Sequence, residues 1–67
     1  MSSSSDSPSA SIQLVATADP GTEIFVIDHT FRLRARAVGR LMAELEPGLY
    51  KLRYRAGSAI QEVHQAL

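Results

Sequence analysis

The chain has 67 residues, 21% of them charged, with seven basic side chains balancing seven acidic ones. A domain of this size buries only about 60% of the surface its unfolded chain exposes, so its core is thin and a deep catalytic pocket is hard to build on it. The absence of cysteine excludes disulfide staples and thiolate metal sites, and no apolar run approaches the roughly 20 residues of a membrane-spanning helix.

Residues 1–11, MSSSSDSPSAS, are polar and serine-rich, which predicts a disordered tail. They lack the basic region and apolar stretch of a secretory signal, so a cytoplasmic location is the expectation. From Ile12 apolar and polar residues begin to alternate, and residues 12–67 read as one domain. Turn signals recur at short intervals: Asp19-Pro20-Gly21, Val38-Gly39, Pro47-Gly48 and Gly57-Ser58. The segments between them, IQLVATA, TEIFVID, FRLRARA, RLMAELE, LYKLRYR and SAIQEVHQA, have strand length and several are rich in β-branched and aromatic residues. The predicted fold class is therefore all-β: a small antiparallel sandwich or meander of five to six short strands. Residues 32–46 and 59–67 also contain good helix formers, which leaves a short helix open in either place.

In the first two strands Leu14, Ile24 and Val26 compete with Val15, Phe25 and Ile27 for the core side. Apolar residues on both faces suggest a strand covered twice, or one that offers an apolar side to a partner. In the middle of the chain, a three-residue turn at Ala37-Val38-Gly39 would set Phe31 against Leu45, Leu33 against Ala43 and Ala35 against Leu41. A two-residue turn at Pro47-Gly48 would then set Leu45 against Tyr50, Ala43 against Leu52 and Leu41 against Tyr54, with Glu44 facing Lys51 and Arg32 on the polar side. The two registers agree on one inside and one outside, as strand periodicity demands, and predict a three-stranded meander over residues 31–55. The last segment alternates poorly, and no turn or polar cap closes it at Leu67. This predicts a piece of a longer parent protein.

The charges are segregated. Residues 1–28 hold Asp6, Asp19, Glu23 and Asp28 and no cation, whereas all seven basic residues lie between positions 32 and 55. Arg32, Arg34 and Arg36 alternate, so they project from one face of a strand. In the meander Arg40, Lys51, Arg53 and Arg55 join them in a basic stripe. Arginine stems covering a solvated sheet face are the ordinary reading. The sharper reading is a partner-binding surface for an acidic protein patch, on another domain of the parent or on the acidic half of a second copy. Nucleic acid is the alternative, through phosphate contacts alone; sheet binders of single strands display stacking aromatics, whereas Phe31, Tyr50 and Tyr54 are expected in the core. An open sheet edge offers a further mode, strand addition by a partner or a second copy.

Catalysis and cofactors find little support. The serines cluster in the tail apart from Ser58, and His29 and His64 sit in no metal-ligand spacing. Asp28 beside His29 points to the opposite face of a strand. Glu44 and Glu46, about 7 Å apart along a strand, have a separation near that of glycosidase carboxylates, but their cationic neighbours favour ion pairing. The four glycines are scattered at turns and form no phosphate loop. No catalytic residue, cofactor or metal is expected.

The run Asp19-Pro20-Gly21-Thr22-Glu23-Ile24-Phe25-Val26-Ile27-Asp28, entered from the apolar strand at Leu14, resembles the opening of PEGA-type domains and of carboxypeptidase-regulatory and transthyretin-like sandwiches. Leu45-Glu46-Pro47-Gly48-Leu49-Tyr50-Lys51-Leu52-Arg53-Tyr54 is similar to their second hallmark, a Pro-Gly turn entering a strand of alternating apolar and basic residues. His29 stands where a glycine would usually follow Asp28, and an arginine-rich segment replaces the Gly-x-Thr-Pro loop. The resemblance implies a non-catalytic sandwich that serves as an accessory or linking module of a bacterial multidomain protein.

Overall fold

A computed structural model describes residues 11–67; apart from Ser11, the expected tail lies outside them. The described chain is all strand and turn: β1 (Ile12–Thr17), β2 (Glu23–Asp28), β3 (Leu33–Val38), β4 (Arg40–Leu45), β5 (Leu49–Ala56) and β6 (Ala59–Ala66). Residues 32–46 and 59–67, where a helix stood open, are thus extended. All pairings are antiparallel and form two sheets, β1-β4 and β3-β2-β5-β6.

The strands alternate as the pattern requires. Ile24 and Val26 of β2 point inward, and Phe25 and Ile27 outward. Leu14 and Ala16 of β1, Leu41 and Leu45 of β4, and Tyr50 and Leu52 of β5 complete the buried core between the sheets. The sandwich is therefore held chiefly by aliphatic burial, of which each fully buried large side chain contributes about 1.5–3 kcal/mol.

The meander over residues 31–55 is not formed. β3 pairs with β2 rather than β4, and β4 pairs with β1, setting Leu45 opposite Ile12 and Leu41 opposite Ala16. β5 pairs with β2 and β6. Inward alternation cannot separate two strands that neighbour each other in one sheet from two that face each other across a core, because both aim the same residues at one interior. Between β3 and β4 stands only Gly39, too short for the two-residue loop of a tight hairpin. The chain instead bends there from the large sheet into the small one. Pro47-Gly48 is a second such crossing.

Both crossings are tied down by hydrogen bonds. Gly39 donates to the Thr22 carbonyl at 2.8 Å, and its own carbonyl accepts from Ala18 N–H at 2.8 Å. This fastens the corner to the Asp19–Thr22 turn, which is closed by Thr22 N–H donating to Asp19 O. At the other crossing, Gly48 and Leu67 exchange backbone bonds of 3.1 and 2.8 Å, and the buried Tyr50 donates its hydroxyl to the Glu46 carbonyl at 2.7 Å. Tyr50→Phe keeps the ring and removes that bond, so it is expected to cost about 0.5–1.5 kcal/mol. Urea titration measures it; an unchanged midpoint would show that the hydroxyl does not anchor the arch.

Phe31 and Leu33 also lie elsewhere than expected. Leu33 pairs with Ile27 and Ala35 with Val26, so Arg34 is the extra residue of a bulge. One extra residue reverses the parity of the strand beyond it. Leu33 therefore faces outward, while Ala35 and Ala37 pack on the core. Phe31 sits in the β2–β3 turn at φ 65°, 82% exposed.

Candidate functional site

The outer face of the large sheet gathers most of the basic residues. In β5, Lys51, Arg53 and Arg55 alternate with the inward Tyr50, Leu52 and half-buried Tyr54. The cross-strand register sets Arg53 beside Phe25, and Phe25 beside Arg36; it likewise sets Arg55 beside Glu23. The Arg36 guanidinium carbon lies 5.7 Å from the centroid of the Phe25 ring, within cation–π range.

Carboxylates interleave with these cations. Glu23 accepts from Arg36 at 2.5 Å and from Arg55 Nε at 2.9 Å. Glu62, on the adjoining β6, accepts from Arg53 Nε at 2.7 Å and lies 3.6 Å from Lys51 Nζ. The bulge sends Arg34 towards Asp28 at 3.3 Å and Glu46 at 3.5 Å. Five of the seven cations are thus paired within the domain. Glu23 and Asp28, from the acidic half expected to supply a patch for a partner, pair instead with Arg34, Arg36 and Arg55 of the same chain, and Glu62 pairs Lys51 and Arg53. Arg40 lies on β4 in the other sheet, opposite Thr17, and Arg32 precedes β3; neither has an ion pair among the described residues. The single basic stripe is therefore a charge ladder on one sheet with Arg32 and Arg40 apart from it. Glu44 faces Gln13 on β1, not Lys51.

Asp28 organises the β2–β3 turn. Its Oδ1 accepts from the Thr30 hydroxyl at 2.6 Å, from Thr30 N–H at 2.8 Å and from Arg32 N–H at 3.0 Å, and its Oδ2 meets Arg34. The Thr30 hydroxyl first, then the Arg32 amide, hold its carboxyl far below the ordinary value of 3.8. Arg36 lowers Glu23 and Arg53 lowers Glu62, each chiefly by hydrogen bonding. A carboxyl whose folded pKa lies below its unfolded one adds stability above the unfolded value and loses it as pH falls through the folded one. The melting temperature is accordingly expected to hold near neutral pH and to drop below about pH 4, the unfolded carboxyl range. Asp28→Asn should be less stable at neutral pH, and its deficit should shrink in acid. Parallel losses for both proteins would rule out Asp28 as a source of the acid sensitivity.

The remaining feature of this sheet is its β6 edge. Every residue of β6 is exposed. Leu52, Tyr50 and Tyr54 on β5 pack against the core, but their β6 neighbours Val63, Gln65 and Gln61 have no strand above them. The two-stranded sheet is narrower than the four-stranded one and leaves β6 overhanging. An open cleft of about 750 Å³ runs between the end of this two-stranded lid, Thr17 with the following Ala18 and Asp19, and Tyr54, Ala59 and Gln61 below. Residues of β6 share no single apolar period, which hid this edge in the sequence; the absence of Lys, Arg and Pro from Ala59–Ala66 is the signal that could have found it. Glu62, the partner of two cations, was missed because it lies outside the 32–55 segment.

The described residues hold no cluster of three or more His, Cys, Asp or Glu fit for a metal, and no helix long and apolar enough to cross a membrane. Compared with protein-family models, with curated proteins and with solved structures, the chain matches none.

Proposed function

We propose that this chain is a non-catalytic protein-interaction module that engages its partner by strand addition at the open β6 edge. The observation that carries the reading is the eight-residue β6 strand, exposed at every position and overhanging its lid. An unpaired edge presents a row of backbone donors and acceptors ready for another strand. The charge ladder orients the partner rather than holding it, since paired exposed charges contribute little affinity of their own. The reading agrees with the likeness of residues 14–28 and 45–54 to PEGA-type accessory sandwiches. Nucleic acid is the weaker alternative. The cations of the ladder already have carboxylate partners, and Phe25, the aromatic on that face, is capped by Arg36.

A photo-crosslinking side chain placed in turn at Gln65 on β6, at Phe25 on the outer face and at Met42 on the lid tests this in the cell. Protein adducts are expected from position 65 and not from 25 or 42. Adducts concentrated at position 25, or salt-sensitive binding of unrelated DNA by the purified protein, would overturn it.

A further inference from the structure

The large sheet has two edges, and only one is protected. At the β3 edge the Arg34 bulge and the charged Arg36 discourage further pairing. At the β6 edge stands AIQEVHQA, regular along its length, with no bulge against β5 and no Lys, Arg or Pro. We propose that the occupant of this edge is β6 of a second copy, paired antiparallel about a two-fold axis at Val63 to give one continuous sheet across the dimer. This inference rests on the strand-addition reading above and names its partner.

The register follows from the side chains. A two-fold axis normal to a sheet keeps inner residues opposite inner and outer opposite outer, so it must pass through a residue pair of like parity. Only axes at Glu62 or Val63 pair nearly the whole of both strands. An axis at Glu62 sets that carboxylate directly against its copy, and like charges facing each other are destabilising. An axis at Val63 sets Glu62 opposite the second copy's His64 on the outer face, twice by symmetry. An imidazole N–H can donate to that carboxylate in either protonation state. Each outer row then reads Arg53, Glu62, His64, Lys51 across the dimer, so that Glu62 lies between Arg53 of its own chain and His64 of the second copy. The neighbouring row brings Leu49, Ala66 and the second copy's Ile60 together; Leu49 and Ile60 are 52% and 57% exposed in the single chain. On the inner face Val63 meets Val63, and Gln61 meets Gln65, whose amides pair well with each other.

The chain lacks cysteine, which makes the test clean. Directly opposed residues of antiparallel strands have Cα atoms about 4.5–5.5 Å apart, inside the disulfide range. Val63→Cys is therefore expected to form a covalent dimer under mild oxidation. Glu62→Cys and His64→Cys should each stay monomeric on a non-reducing gel, but should cross-link when mixed. Sedimentation equilibrium should give twice the chain mass, reduced to one chain mass by Val63→Lys, whose far-ultraviolet circular dichroism should match the parent because the site is exposed. A monomer at every concentration, a dimer indifferent to Val63→Lys, or self-cross-linking by Glu62→Cys would each overturn the proposal. A monomer whose position 65 still gives adducts with a different protein leaves the interaction reading standing and removes only the second copy; loss of those adducts removes the interaction reading itself.

Discussion

Gly39→Ala is expected to destabilise the domain by about 1–2 kcal/mol, the cost of placing an L side chain in the left-handed region, and Gly39→Val by more. Gly39 has φ 79° and is the sole residue between β3 and β4. Its backbone ties the corner to both Ala18 and Thr22. A Cβ there would lie 3.3 Å from the Pro20 Cα and 3.4 Å from its carbonyl oxygen, so relief requires moving the very turn that Gly39 fastens. In a domain this small each kcal/mol shifts the melting temperature by roughly 4–8 °C. Thermal melts of both variants measure the effect. A Gly39→Ala melt within a degree of the parent's would contradict the corner geometry. Gly57→Ala, also at positive φ but with open space around its would-be Cβ, isolates the conformational part of the cost from the crowding part.

Leu41→Ala should cost about 2–5 kcal/mol, the range for deleting a large buried aliphatic side chain, which is a large share of the stability of any small domain. Leu41 is 1% exposed and packs in the cluster shared by both sheets. The adjacent Met42, 57% exposed on the outer side of the lid, supplies the contrast: Met42→Ala should stay within about 0.5 kcal/mol. Urea unfolding of the pair reads both. Equal losses at 41 and 42 would mean that β4 is not seated with Leu41 inward. A double-mutant cycle also tests the strand pairing: Leu41→Ala should couple with Ala16→Gly, its cross-strand neighbour on β1 and no partner of it in the rejected meander, because coupling follows contact.

The inward faces of β4 and β5 were legible, because strict alternation over a strand leaves little choice. Leu41, Leu45, Tyr50 and Leu52 are all buried. The strands Leu33–Val38, Arg40–Leu45 and Leu49–Ala56 largely coincide with the segments read as extended. Pairing was not legible. Neither turn chemistry nor periodicity records which sheet a strand joins, and Gly39 reads equally as a hairpin loop and as a corner. The bulge at Arg34 was invisible, since an unpaired residue shows itself only against the partner strand; with it went the outward turn of Leu33 and the exposure of Phe31. The cations were correctly grouped by face in β5, but the carboxylates that neutralise them come from β2 and β6, and only the pairing brings those together.

The lid is assembled from stretches far apart along the chain: Ile12–Thr17 must wait for Arg40–Leu45. By contrast, β5 and β6 are joined by the two-residue Gly57-Ser58 loop, with Gly57 at φ 62°, where hairpins place glycine. Local contacts form before distant ones because closing a long loop costs entropy first. The overhanging hairpin should thus be an early folding unit and the lid the last to close. The amides of β1 should then be the latest to gain protection in a pulse-labelled refolding experiment, and the aliphatic interior should stay wet until they do.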